Sequence, residues 1–107
     1  MEDPQYQLVI EFQTPKSESF NDLQSLEELL RAGFGQDPDV LVDGHDFGMG
    51  IFNIFIHTNT PEQTFEKSLA MIEATRPGAE LRAGYRDFDE EDYVPLHPQG
   101  LESFELR

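Results

Sequence analysis

Residues 43–58 read D-G-H-D-F-G-M-G-I-F-N-I-F-I-H-T, and the way this stretch folds decides the architecture. Gly48 and Gly50 bracket a turn, because glycine takes positive φ at little cost. A three-residue loop at Phe47-Gly48-Met49 pairs Asp46 with Gly50 and carries the register back along both arms. Asp43 then faces Asn53, Leu41 faces Phe55, and Asp39 faces His57. Side chains alternate, so Val40, Val42, Phe52, Ile54 and Ile56 share one face. Leu41, Asp43, His45, Asn53, Phe55 and His57 share the other, and Asp46 points away from them. The first face is core. The second is a mixed polar and aromatic surface on which a function would reside.

Outward from the hairpin, residues 6–13 alternate as a strand, with Tyr6, Leu8, Ile10 and Phe12 on one side, and Pro15 stops it. Phe20, Leu23, Leu26, Leu29 and Leu30 recur at helical spacing, predicting a helix from about Ser19 to Ala32. Ser19 or Asn21 caps its start, and Gly33 closes its end in a left-handed conformation. A second helix opens at Thr60-Pro61-Glu62-Gln63, where Thr60 and Gln63 make a capping box and Pro61 suits the first helical position. Phe65, Leu69, Met71 and Ile72 form its buried stripe, and Arg76-Pro77-Gly78 ends it. A fourth strand, Glu80 to Phe88, sets Leu81, Ala83 and Tyr85 against Arg82, Gly84 and Arg86.

The order β-α-β-β-α-β predicts an α+β fold, a ferredoxin-like two-layer sandwich. Its sheet would have four antiparallel strands with both helices on one face. Residues 1–107 then form a single domain, with 88–107 as an acidic extended tail packed on it. Pro95 and Pro98 deny the tail a helix, while Tyr93, Val94, Leu96, Leu101 and Phe104 are too apolar for a disordered arm. Phe55 and Leu41, in the middle of the open face, need a cover: the tail, a second subunit or a ligand.

Composition narrows the class. Asp and Glu number 22 against 7 Lys and Arg, a formal net charge of −15. Such a field repels nucleic-acid phosphate and anionic lipid and speeds encounter with basic partners. There is no cysteine, hence no disulfide framework and no thiolate metal site. The amino terminus lacks a signal-peptide pattern and no apolar run is long enough to span a bilayer, so a cytoplasmic protein is expected.

His45, His57, Asp43 and Asp46 are of metal-ligand type, but the register sets the two histidines far apart along the sheet, so no metal and no cofactor are expected. General acid–base chemistry by His45 or His57 with Asp43 or Glu11 is the alternative, an oxygenase- or isomerase-type enzyme with an open-sheet pocket that offers His57, Asn53 and Arg86. No nucleophile motif, phosphate loop or cofactor fingerprint accompanies these residues. Arg82 and Arg86 suit an anion, yet Glu11 on the neighbouring strand is a ready partner for them.

The string G-H-D-F-G-M-G-I-F-N-I-F-I (44–56), with P-E-Q-T-F-E (61–66) and Y-R-D-F-D-E-E-D-Y-V-P-L-H-P (85–98), resembles a group of small acidic bacterial proteins of unassigned function. The shared patterns are G-H-D-x-G-x-G-x-x-N-I-F-I, then P-x-x-x-F-E, Y-R and D-Y, and the match covers most of the chain from Asp43 to Pro98 without implying an activity. In size and charge the chain is also similar to immunity proteins of bacterial toxin systems, which implies a protein partner.

These readings converge on a non-enzymatic protein-binding module, immunity-like or regulatory, for a basic protein. The expected binding surface is Asp43, His45, Asn53, Phe55, His57, Arg82, Arg86, Asp89, Glu90, Glu91, Asp92 and Tyr93. Self-repulsion predicts a monomer or weak homodimer.

Overall fold

The computed structural model describes residues 4–13, 20–48, 50–78 and 80–105, with side chains of the first helix from residue 23 onward. The elements are β1 Tyr6–Gln13, α1 Phe20–Gly33, β2 Val40–Gly48, β3 Ile51–Thr58, α2 Pro61–Thr75, β4 Leu81–Asp87 and β5 Val94–His97. The strands form one antiparallel sheet in the order β2-β3-β1-β4-β5. The expected four-stranded, ferredoxin-like β-α-β-β-α-β sandwich is therefore overturned. The order is β-α-β-β-α-β-β, and the added strand, V-P-L-H, hides in the sequence because Pro95 interrupts it. Proline is tolerated in a strand at a sheet edge, and the edge is where β5 lies.

One sheet face collects Leu8, Ile10, Phe12, Val42, Phe52, Ile54, Ile56, Leu81 and Ala83. Leu23, Leu26 and Leu30 from α1 and Phe65 and Ile72 from α2 complete this core, so both helices cover the same face. The alternation of β1, β3 and β4 and the stripes of both helices account for it. Burying each such side chain stabilises by roughly 1.5–3 kcal/mol.

The hairpin departs from the expected register. Gly48 pairs with Ile51, Phe47 with Phe52, Asp46 with Asn53, His45 with Ile54 and Gly44 with Phe55. Strand β2 thus runs to Gly48 and β3 begins at Ile51, which rules out a loop that starts at Phe47, and positive φ falls on Gly50 (76°) alone of the two glycines. Below Gly44 the register shifts: Val42 pairs with Ile56 and Leu41 with His57, leaving Asp43 as the extra residue of a β-bulge. Two slips of opposite sense keep Val42 on the core face, yet they send His45 there as well.

Two helix ends also differ from expectation. Thr60 makes no side-chain cap; instead Thr64 N–H donates to the Thr60 carbonyl (2.9 Å), and the buried hydroxyls of Thr58 and Thr64 meet at 2.7 Å. Gly33 stays within α1 instead of closing it, and a Cβ there would meet only the flexible end of the Met71 side chain of α2. The Ser19 cap, the Asn21 side chain, the Pro15 stop, Met49 and Arg107 lie outside what is described.

Candidate functional site

The sheet face away from the helices is built as three rows crossing β2, β3, β1 and β4. They read Leu41–His57–Gln7–Arg86, then Gly44–Phe55–Val9–Gly84, then Asp46–Asn53–Glu11–Arg82. The segment after β4 folds over the β1–β4 half. Phe104 is buried on Gly84, and the Arg82 guanidinium lies 5.4 Å from its ring centre. Tyr93 stacks edge-on against Phe104 at 5.5 Å and donates its hydroxyl to Gln7 Oε1 at 2.8 Å. Arg86 donates to the same Gln7 oxygen (3.1 Å) and to the Glu90 carbonyl (2.9 Å), and its guanidinium lies over Phe88 and Tyr93. Under this cover Val9 is fully buried.

Glu11 and Arg82 form a two-pronged ion pair, Nε to Oε1 at 3.0 Å and the second nitrogen to Oε2 at 3.3 Å, with the carboxylate fully buried. Arg82 is thereby committed to a structural partner. Asn53, beside Glu11 on β3, is buried, and its Oδ1 has no hydrogen-bond partner among the described residues. A cleft of about 400 Å³ at this end is lined by Glu11, Arg82, His97 and Leu101; neither His57 nor Asn53 reaches it. His57 and Asn53 lie four residues apart on β3 with Phe55 between them, a span of roughly 13 Å. They do not converge on one reacting atom. Among the described residues no three His, Asp or Glu side chains are grouped so as to hold a metal ion.

His45 is not on this face. The bulge turns it onto the helix side, where its Nδ1 lies 2.8 Å from Glu27 Oε1 and its ring stacks on Phe52 at 5.2 Å and 14°. Glu27 is buried on α1, and its other oxygen meets the Arg31 guanidinium at 3.5 Å, which also donates to the Val42 carbonyl at 3.1 Å. Asp46, expected to point away, takes the place on the open face that His45 was expected to hold.

Among the described residues, the end of the open face around Leu41 and Asp43 is the most exposed, whereas Asn53 at its other end is buried. Leu41 is 54% exposed and Phe88 38%, and between them the His57 ring meets Phe88 edge-on at 4.9 Å. Asp43 Oδ2 lies 3.7 Å from His57 Nε2 and is half in water. Gly44 leaves the flank of Phe55 open: nothing stands within 4 Å of where its Cβ would be. Asp39, Asp43, Asp46, Asp89, Glu90, Glu91 and Asp92 are all exposed, and residues 32–66 contain no lysine or arginine. The result is an apolar strip in an acidic surround. No family model, curated protein or solved structure matches the chain. No helix among the described residues is long and apolar enough to cross a membrane.

Of the expected surface residues, Asp43, Asn53, Phe55, His57, Arg82, Arg86 and Tyr93 come together on one face, with Asp89–Asp92 at its rim. Sequence reasoning missed Glu27, Phe88 and Gly44. Glu27 had a signal: it stands four residues after Leu23 and three before Leu30, inside the apolar stripe. Phe88 and Gly44 had none, because their meaning depends on what the tail covers.

Proposed function

We propose that the chain is a non-enzymatic protein-binding module for a basic protein partner, immunity-like or regulatory in kind. The observation that carries this reading is the exposed pair Leu41 and Phe88, flanking His57 within an acidic surround on a chain of net charge −15. Acidic groups steer a basic protein to the face and raise the encounter rate. Desolvated apolar anchors then hold the complex, and the rim charges set its orientation. The same field disfavours nucleic acid, anionic lipid and a second copy of the chain, leaving a monomer or weak homodimer in the cytoplasm. The resemblance to small acidic proteins and to immunity proteins accords with this reading.

Affinity capture from a lysate of the native host tests it, with salt raised in steps from about 0.05 to about 0.5 M, where the screening length falls to a few Å. A basic protein should be retained at low salt and released at high salt. Leu41→Asp and Phe88→Asp should each reduce retention. Recovery of no basic protein, or retention indifferent to salt, would count against the module.

A further inference from the structure

The central row of the open face has two glycines, Gly84 on β4 and Gly44 on the edge strand β2, with Val9 and Phe55 between. Over Gly84 the chain seats an aromatic ring of its own. Phe104 sits so close that a Cβ on residue 84 would be 2.6 Å from the ring. The positions above and below Gly84 are cationic, Arg82 and Arg86, and the segment carrying Phe104 is acidic, Glu102-Ser103-Phe104-Glu105. Shape is matched at that end, while the guanidiniums of Arg82 and Arg86 are held by Glu11, Gln7 and the Glu90 carbonyl.

At the other end the glycine has the opposite surround. Nothing stands within 4 Å of a Cβ on Gly44. Asp46 lies two residues along the strand, and the half-exposed Asp43 carboxylate lies just before it. Leu41 and Phe55 form the apolar floor, half-buried Phe55 being the direct partner of Gly44. The seat over Gly84 takes an aromatic flanked by acids. Inverting the sign at Gly44, we propose that this notch takes one apolar side chain, preferably aromatic, flanked by lysine or arginine on an extended segment of the basic partner. The inference rests on the binding-module reading and adds its specificity determinant. A second copy would bring Asp43 and Asp46 against the same carboxylates, and like charges in apposition oppose that pairing.

The test uses two blocked hexapeptides, Lys-Lys-Ser-Phe-Lys-Lys and Lys-Lys-Ser-Ser-Lys-Lys, titrated into the full chain with amide shifts followed by NMR. The aromatic peptide should shift Leu41, Gly44 and Phe55 and bind about tenfold tighter or more, the return for burying one ring. Gly44→Leu fills the notch without meeting a neighbour, so the chain should keep its melting temperature and lose that preference. Equal binding of both peptides, or a preference that survives Gly44→Leu, overturns the notch and leaves charge-steered recognition standing. Binding of neither peptide removes both. Sedimentation in the same buffer covers the remaining occupant: a dimer dissociated by the aromatic peptide would assign the notch to a second copy and overturn the proposal.

Discussion

Phe104 rests on the bare backbone of Gly84: a Cβ at position 84 would lie 2.6 Å from the ring's Cγ and 2.9 Å from the Phe104 Cβ. The stem of the side chain, not only its mobile end, occupies the space. Gly84→Ala should therefore push the ring off the sheet and cost about 1–3 kcal/mol, the usual penalty of overpacking. In a Phe104→Gly background, which removes the Cβ stem as well as the ring, the same change should cost almost nothing. Urea denaturation of the four proteins measures the coupling; simple additivity would show that the contact carries no energy.

Arg82 and Glu11 make a second test, because the carboxylate is fully buried and the guanidinium 22% exposed. Arg82→Met strands the carboxylate and should cost about 2–4 kcal/mol, somewhat below the range for a fully buried pair because water reaches the arginine. Arg82→Met with Glu11→Leu should recover most of that loss. A double variant no more stable than the single one would mean that the pair does more than satisfy itself.

The bulge offers the most direct probe of the hairpin. Deleting Asp43 forces either the 40–42 arm or the 44–48 arm to exchange faces. The first exchange exposes Val42, and the second breaks the Glu27–His45 bond. Either loss should cost about 2–3 kcal/mol. Asp43→Ala, which removes only a long and half-exposed contact with His57, should cost less than about 1 kcal/mol. Equal melting temperatures for the deletion and the substitution would place no demand on the extra residue.

Gly50 and Gly48 should separate cleanly. Gly50 sits at φ 76°, a conformation costly for a β-branched side chain, so Gly50→Val should cost about 1–3 kcal/mol. Gly48 is an ordinary strand residue with open space at its Cβ, and Gly48→Val should be neutral or mildly stabilising. Thermal melts decide it, and comparable losses for both would return the turn to a three-residue loop.

Local periodicity carried much of the architecture. Strands β1, β3 and β4 show alternation, α1 and α2 show apolar stripes, and each pattern needs only neighbours in the chain. The core residues Leu8, Ile10, Phe12, Phe52, Ile54 and Ile56 were legible for that reason. Net charge was legible too, being a count of residues.

What lay beyond the sequence depended on groups distant along it. In V-L-V-D-G-H-D-F, His45 and Asp46 are both polar, so either parity suits the pattern; the Glu27 carboxylate on α1 accompanies the choice that puts His45 on the helix side. Strand β5 is four residues long and contains Pro95, so its strand character comes from the free edge of β4 rather than from its own propensity. Gly44 and Gly84 look alike in the sequence. One is covered by a ring from twenty residues downstream and the other is bare, because a backbone glycine is defined by what packs on it, and only closure of the whole chain supplies that neighbour.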